Sequence, residues 1–366
     1  MPKNSFTSVS RIFLSPILVA LIFLLCEAIF RLVYFGPSAV LQPLHYRPAP
    51  IGEVGMLEAV PDRVVGYVLK PDLNTWYQGA PFHSNSRGQR NVNWPTEKPA
   101  DTFRIAMLGD SVTMGAGVSD DQTYSVVLER LLNASGQGQW QVINFGVGGY
   151  KTPQMLASYP TNGTDAGFDL IIVPVYSVEA ERLLEFSPAH FSLGAFPFYK
   201  DFAGFLRRNF FIVQALRQLT AKELQPLITD DWTPKRGNRG ATPPPTVDVP
   251  RRQQPPPGKP FPVFVGDWAR ELEKSGTKVA IMLYPETVFG EIDENDKSNM
   301  RRIADRISQE SGLPVFNLEE SGLFTGEAIG VVYPGDHHPG PKGHEAVARA
   351  LLPDILKLRQ SPPSQQ

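Results

Sequence analysis

Ile105-Ala106-Met107-Leu108-Gly109-Asp110-Ser111, followed by Val112-Thr113-Met114-Gly115, reads as a buried strand running into a tight turn that presents a serine. The apolar run is short, compatible with a strand and stopped by Gly109. Gly115 and Gly117 just beyond it read as positions where the backbone passes close to a bound carbonyl. Ser111 is therefore the first candidate nucleophile. A serine needs a base, and the base needs an orienting group.

Outward from this stretch, similar short apolar runs predict strands over 103–108, 140–145, 170–175, 279–284 and 314–318. Helical patterns lie between them: 124–132, a helix opening at Thr152 as cap and Pro153 as first helical residue, and an amphipathic helix over 345–358. Such alternation is the mark of a parallel sheet covered on both faces. Open sheets of this kind bind ligands beyond the carboxyl ends of their strands, where Ser111 and Gly149 are both expected.

Near the other end stands Asp336-His337-His338-Pro339-Gly340-Pro341-Lys342-Gly343-His344, ahead of the last predicted helix. Together with Gly109-Asp110-Ser111, this resembles the SGNH (GDSL) hydrolase family. The resemblance implies a three-layer α/β/α sandwich with a five-stranded parallel sheet of flavodoxin-like type. It also implies Ser111 as nucleophile, His338 as base and Asp336 as its carboxylate partner. Asn144-Phe145-Gly146-Val147-Gly148-Gly149-Tyr150 is similar to the family's glycine turn after the second strand, which makes the N–H groups of Ser111 and Gly149 the expected oxyanion donors. Two departures stand out. Val178 and Glu179 occupy the place of the family's third-strand Asn-Asp pair, and only His337 separates Asp336 from His338. Loss of one oxyanion donor typically costs ~10²–10³ in turnover, less than the whole enhancement of an esterase. Ser177 or Tyr176 offers a hydroxyl in that neighbourhood.

Each sharp reading has a bland competitor. Gly-Asp-Ser alone occurs in many strand-to-helix turns; the ordered set of serine turn, glycine turn and Asp-x-His-Pro carries the assignment. His338 competes with His337 for the role of base and with a structural role as a cap of the last helix. His344 reads as a packing or capping residue, and Asp110 as a local support of the serine turn. The spacing of Asp336, His337, His338 and His344 fits no common zinc pattern, and no metal or organic cofactor is implied.

The chain has 366 residues, 35 Lys+Arg against 37 Asp+Glu, a net charge of −2 and one cysteine, Cys26. This balance offers nucleic acid no general attraction. A single cysteine excludes an internal disulfide framework. Residues 12–35 are almost entirely apolar, long enough to cross a bilayer, with Lys3 and Arg11 ahead of them. Glu27 and Arg31 interrupt the run four apart, on one helical face where they can pair. The positive-inside rule leaves residues 1–11 in the cytoplasm and the remainder on the periplasmic or extracellular side of the cell membrane, as a single-pass protein. A cleaved signal peptide is the competing reading, and it exports the same catalytic portion.

The expected organisation is then a β-rich segment over 36–100, a catalytic domain over 101–358 with a proline-rich insertion at 233–262, and a disordered tail at 359–366. Between the third and fourth strands, residues 202–219 suggest an extra helix. Within the β-rich segment, Asn85-Ser86-Arg87-Gly88-Gln89-Arg90 is similar to an Asn-Ser-x-Gly-x-Arg stretch of membrane-anchored family members. It reads as a segment packed on the catalytic domain or as a lip of its cleft. The expected activity is hydrolysis of a small-molecule or glycan acyl ester, an envelope O-acetyl ester in the first place. An O-acyltransferase using the same residues and a catalytically impaired binding protein are the alternatives. Oligomeric state is not legible.

Overall fold

The computed structural model describes residues 6–42, 56–60, 62, 64–163, 166–176, 210–213, 261–274, 276–284, 294–324, 332 and 338–360. A 30-residue helix, α1 (Phe6–Phe35), comes first. Two antiparallel pairs follow, β1 (Leu57–Ala59) with β2 (Tyr67–Leu69) and β3 (Asn74–Tyr77) with β4 (Ala80–His83). The main body then runs β5 (Thr102–Gly109), the short turn α2 (Ser111–Met114), α3 (Tyr124–Ala134), β6 (Gln139–Gly146), α4 (Thr152–Gly163) and β7 (Leu170–Tyr176). It continues with α5 (Phe261–Glu273), β8 (Lys278–Tyr284), α6 (Glu294–Ser311), β9 (Val315–Asn317) and α7 (Pro341–Gln360).

The five strands β5 to β9 form one parallel sheet in the order β6-β5-β7-β8-β9. The chain leaves β5 for one neighbour and then returns across it to the other, so β5 lies at the point where the strand order reverses, the usual place for a ligand crevice. The β5–β6 register sets Gly109 opposite Gly146, and both strands deliver their following turns at the same level.

Alternation along the strands divides the core into two faces. Ala106, Leu108, Ile143, Phe145, Ile171, Val173 and Ile281 pack on one side with Met155 and Leu156 of α4, Val265 and Ala269 of α5, and Ile303 and Ile307 of α6. Ile105, Met107, Val142, Ile172 and Met282 pack on the other with Tyr124 and Leu128 of α3 and Val347, Leu351 and Ile355 of α7. The result is a three-layer α/β/α arrangement. Each such side chain taken fully out of water contributes ~1.5–3 kcal/mol before conformational entropy is subtracted, so burial on both faces stabilises the sheet between its helices.

The sequence places every strand of this sheet within one residue at each end. The differences have local causes. Strand β9 stops at Asn317, whose side chain accepts from Glu319 N–H and turns Leu318–Ser321 into a 3₁₀ turn. Helix α7 begins at Pro341 rather than 345, because a proline in the first turn has no N–H to leave unpaired. It also runs two residues into the stretch expected as tail. The Arg359 guanidinium lies 4.4 Å from the Trp140 ring and holds that end down. Phe261 and Pro262, assigned from sequence to the insertion, are the first residues of α5, again with proline in the first turn. The rest of the proline-rich insertion lies outside the described residues, as does most of the 202–219 stretch, of which residues 211–213 are helical.

The segment before the sheet is not a separate core. Leu57, Val65, Tyr67, Leu69, Phe82 and Trp94 join the same apolar cluster as α4 and the sheet. At its start, α1 holds an apolar stretch, Pro16–Phe35, long enough to cross a membrane, and only 11% of it is buried. Its C-terminal end touches the domain: the Phe35 ring occupies the space a Cβ on Gly79 would need.

Candidate active site

Strand β5 ends under a steric rule. A Cβ on Gly109 would overlap the Thr113 side chain, which folds back to donate from Oγ1 to Leu108 O at 3.2 Å. Asp110 follows as the cap of α2, its carboxylate accepting from Val112 N–H at 2.9 Å, so its role is local support as the sequence indicates. Ser111 opens the turn. Gly115 closes it in the left-handed region, φ 84°, with its N–H on the carbonyls of Ser111 and Val112. Gly115 is thus a helix stop, and a Cβ on Gly117 would overlap the Val332 side chain.

The Ser111 hydroxyl lies 2.9 Å from His338 Nε2, across 227 positions of sequence. His338 is half-buried, and its carbonyl accepts from Val332 N–H at 3.3 Å. Pro339 and Gly340 then lead directly into α7, whose packing against α3 fixes where the imidazole arrives. Asp336, His337, Ser177, Val178 and Glu179 lie outside the described residues, as does the side chain of Tyr176.

The turn after β6 faces the same serine. A Cβ on Gly146 would overlap the Met114 backbone, and one on Gly148 would lie 4.0 Å from Ser111 Cβ. Gly149 is exposed with φ 82°. Tyr67 fixes this turn by donating to Gly148 O at 2.9 Å, and Tyr150 donates in turn to Tyr67 O. Burial, with a smaller contribution from the Asp110 charge, pushes the Tyr67 phenol up to about 12, so it stays a neutral donor.

Three further side chains support this arrangement. Asn144 accepts from Gly146 N–H at 2.8 Å and donates to Thr113 O at 2.7 Å, tying the two turns together. Arg90, 2% exposed, donates to Met114 O at 3.0 Å, Val118 O at 2.6 Å, Pro81 O at 3.0 Å and Asp120 Oδ1 at 2.8 Å, and also to Gly115 O. Burial holds this guanidinium below its usual pKa, opposed by Asp120. The Asn-Ser-x-Gly-x-Arg stretch was the available signal, because Asn85 shapes its turn by accepting from the N–H groups of Arg87 and Gln89 and so delivers Arg90 inward. His344 is the third. Fully buried in α7, it accepts from Tyr124 N–H through Nδ1 at 3.1 Å and so caps α3, the structural role its sequence position indicates. Burial, reinforced by the charges of Arg90 and His338, lowers it from 6.5 to about 3.

A serine hydroxyl against an imidazole, beside a glycine turn and above the carboxyl ends of a parallel sheet, is an arrangement suited to nucleophilic attack on a carbonyl. Among the described residues no group of three or more His, Cys, Asp or Glu side chains is placed to hold a metal ion.

No protein-family model matches the sequence, and no curated protein matches it significantly. Among solved structures the chain is similar to TesA at 12% identity, over 70% of this chain and 99% of that one, with a TM-score of 0.38. It is similar to a lipase/acylhydrolase from Enterococcus faecalis at 16% identity, over 72% and 100%, with a TM-score of 0.37. A catalytic mutant of Axe2, an acetylxylan esterase from Geobacillus stearothermophilus, matches at 12% identity over 72% and 97%, also with a TM-score of 0.37. Likenesses at this level carry no functional argument, and the chemistry of the site is argued from its own residues.

Proposed function

We propose that this protein is a membrane-anchored serine esterase of the SGNH type. The observation that carries the reading is the 2.9 Å contact between Ser111 Oγ and His338 Nε2. In this reading His338 takes the proton as Ser111 attacks an ester carbonyl, and Asp336 holds the imidazole in the tautomer that leaves Nε2 free to accept. The N–H groups of Ser111 and Gly149 receive the developing oxyanion, the exposed left-handed glycine allowing the oxygen to approach without a Cβ in the way. Collapse of the tetrahedral intermediate passes the proton from His338 to the leaving alcohol. Water, activated by the same histidine, then releases the acid from Ser111.

Helix α1 supports anchoring: its apolar stretch is almost wholly open to the surroundings, which a core helix is not. With Lys3 and Arg11 on the inner side, the catalytic portion stands outside the cell membrane, facing envelope esters; an O-acetyl group on a glycan is the substrate class we favour.

Labelling of the full-length protein with a fluorophosphonate probe tests the reading. Wild type reacts and Ser111→Ala does not, and turnover of a p-nitrophenyl ester falls by ~10⁴ or more in the variant. A wild type inert to the probe, or a variant labelled equally well, would refute it.

A further inference from the structure

Helix α1 carries an acidic residue where an anchor has no use for one. Glu27 is 4% exposed, and each of its oxygens is engaged. Oε1 accepts from Arg31 Nε at 2.7 Å and from Phe211 N–H at 2.9 Å, and Oε2 accepts from Ile212 N–H at 2.9 Å. Residues 210–213 therefore sit directly on α1, with their leading backbone donors satisfied by its carboxylate. Phe210 meets Phe23 edge to face at 5.0 Å, and Phe211 stacks on Phe35 at 4.2 Å. Arg31 completes the clasp by donating to Gln42 O at 2.6 Å.

The depth of this contact follows from helix arithmetic. If the hydrocarbon layer begins directly after Arg11, about 20 residues carry the helix across it, to the level of Arg31. Glu27 then lies about 6 Å inside the outer boundary and Phe23 about 12 Å inside. Were the contact region outside the lipid, only residues 12–22 would remain to span it, a rise of about 16 Å, half of what is required. The other faces of the same stretch agree: Ile22, Leu24, Leu25 and Ile29 are 53%, 51%, 60% and 51% exposed, a surface for acyl chains and not for water.

We infer that residues 210–213 form a second membrane-embedded element on α1, reaching from the outer boundary, where Phe211 stacks on Phe35, into the outer half of the bilayer, where Phe210 meets Phe23, with lipid acyl chains as its partner. Backbone in hydrocarbon must have its polar groups paired, and Glu27 supplies acceptors for two of the four N–H groups that a first helical turn leaves open. The inference rests on the anchoring reading above. It joins the site to the bilayer, since Phe211 shares a cluster with Val332, whose N–H is bonded to the carbonyl of His338.

The test uses full-length protein in vesicles of phosphatidylethanolamine and phosphatidylglycerol, with and without bromine on the acyl chains. On a Cys26→Ser background, bimane is attached at Ile29→Cys, Ile212→Cys, Val213→Cys or Val92→Cys. Bromine quenches the labels at 29, 212 and 213 to a similar extent and leaves the label at 92 bright. Quenching at 29 with none at 212 and 213 overturns the inference and leaves the anchor standing. No quenching at 29 removes the anchor and the inference with it.

Discussion

Arg90 Nη1 donates 3.0 Å to the carbonyl of Met114, the last residue of the helical turn that Ser111 begins. A guanidinium from the segment ahead of the sheet thus fixes the far end of the nucleophile's own turn. Five donations from one buried side chain converge on Pro81, Met114, Gly115, Val118 and Asp120. Replacement by methionine leaves several buried carbonyls unpaired, so Arg90→Met lowers stability by ~3 kcal/mol or more. Arg90→Lys does not restore it, since an ammonium cannot reproduce the planar fork. Thermal unfolding of both variants in detergent checks this, and a Lys variant as stable as wild type would contradict it.

Tyr67→Phe removes the donor to Gly148 O together with the hydroxyl's side-chain hydrogen bond to Gln154. The loss is ~1–2 kcal/mol in stability. If the glycine turn supplies an oxyanion donor, kcat drops about tenfold while KM stays near its wild-type value, since the contact is strongest in the transition state. Steady-state kinetics on a soluble ester separate the two parameters.

Gly146→Ala tests how closely the two turns must approach. The added Cβ has no room against the Met114 backbone, and backbone cannot rotate away as a side chain would. A cost of ~2–3 kcal/mol is expected, with loss of fluorophosphonate labelling because the serine turn is displaced. Gly136→Ala is no neutral comparison, since φ there is 72° and an alanine is strained. Ala134→Gly, at the end of α3, supplies a mild destabilisation of ~0.5–1 kcal/mol with labelling intact.

His344 makes the stability pH-dependent in a defined direction. Its pKa is about 3 when folded and near 6.5 when unfolded, so between these values the unfolded chain binds the extra proton. Its neutral form is favoured in the fold, a contribution fully present above pH 6.5 and lost progressively as pH falls toward 3. The slope from this one group is at most ~1.4 kcal/mol per pH unit. His344→Asn keeps an acceptor for Tyr124 N–H without a titrating ring, so its unfolding midpoint falls less steeply than wild type between pH 6.5 and 4. Parallel curves would show that the histidine does not control acid stability.

The sequence alone determined the sheet, because buried parallel strands announce themselves as short apolar runs and amphipathic helices as periodic ones. Gly109, Gly146 and the Gly-Asp-Ser turn were legible for a related reason: tight turns between strand and helix tolerate few residue types. The meeting of Ser111 with His338 was legible only as a resemblance, and its distance was a tertiary matter, since 227 intervening positions carry no local rule for closing that gap. Asn144 and Tyr67 were invisible as supports, and Arg90 was legible only through the Asn-Ser-x-Gly-x-Arg stretch that carries it. Their hydrogen bonds run to backbone carbonyls and N–H groups far along the chain, and such partners look alike in every sequence. The pairing of Glu27 with Arg31 followed from helical spacing, whereas the docking of Phe211 and Ile212 on that carboxylate did not. Spacing within one helix is fixed by its 3.6-residue turn; what packs against it is decided only when the whole chain has folded.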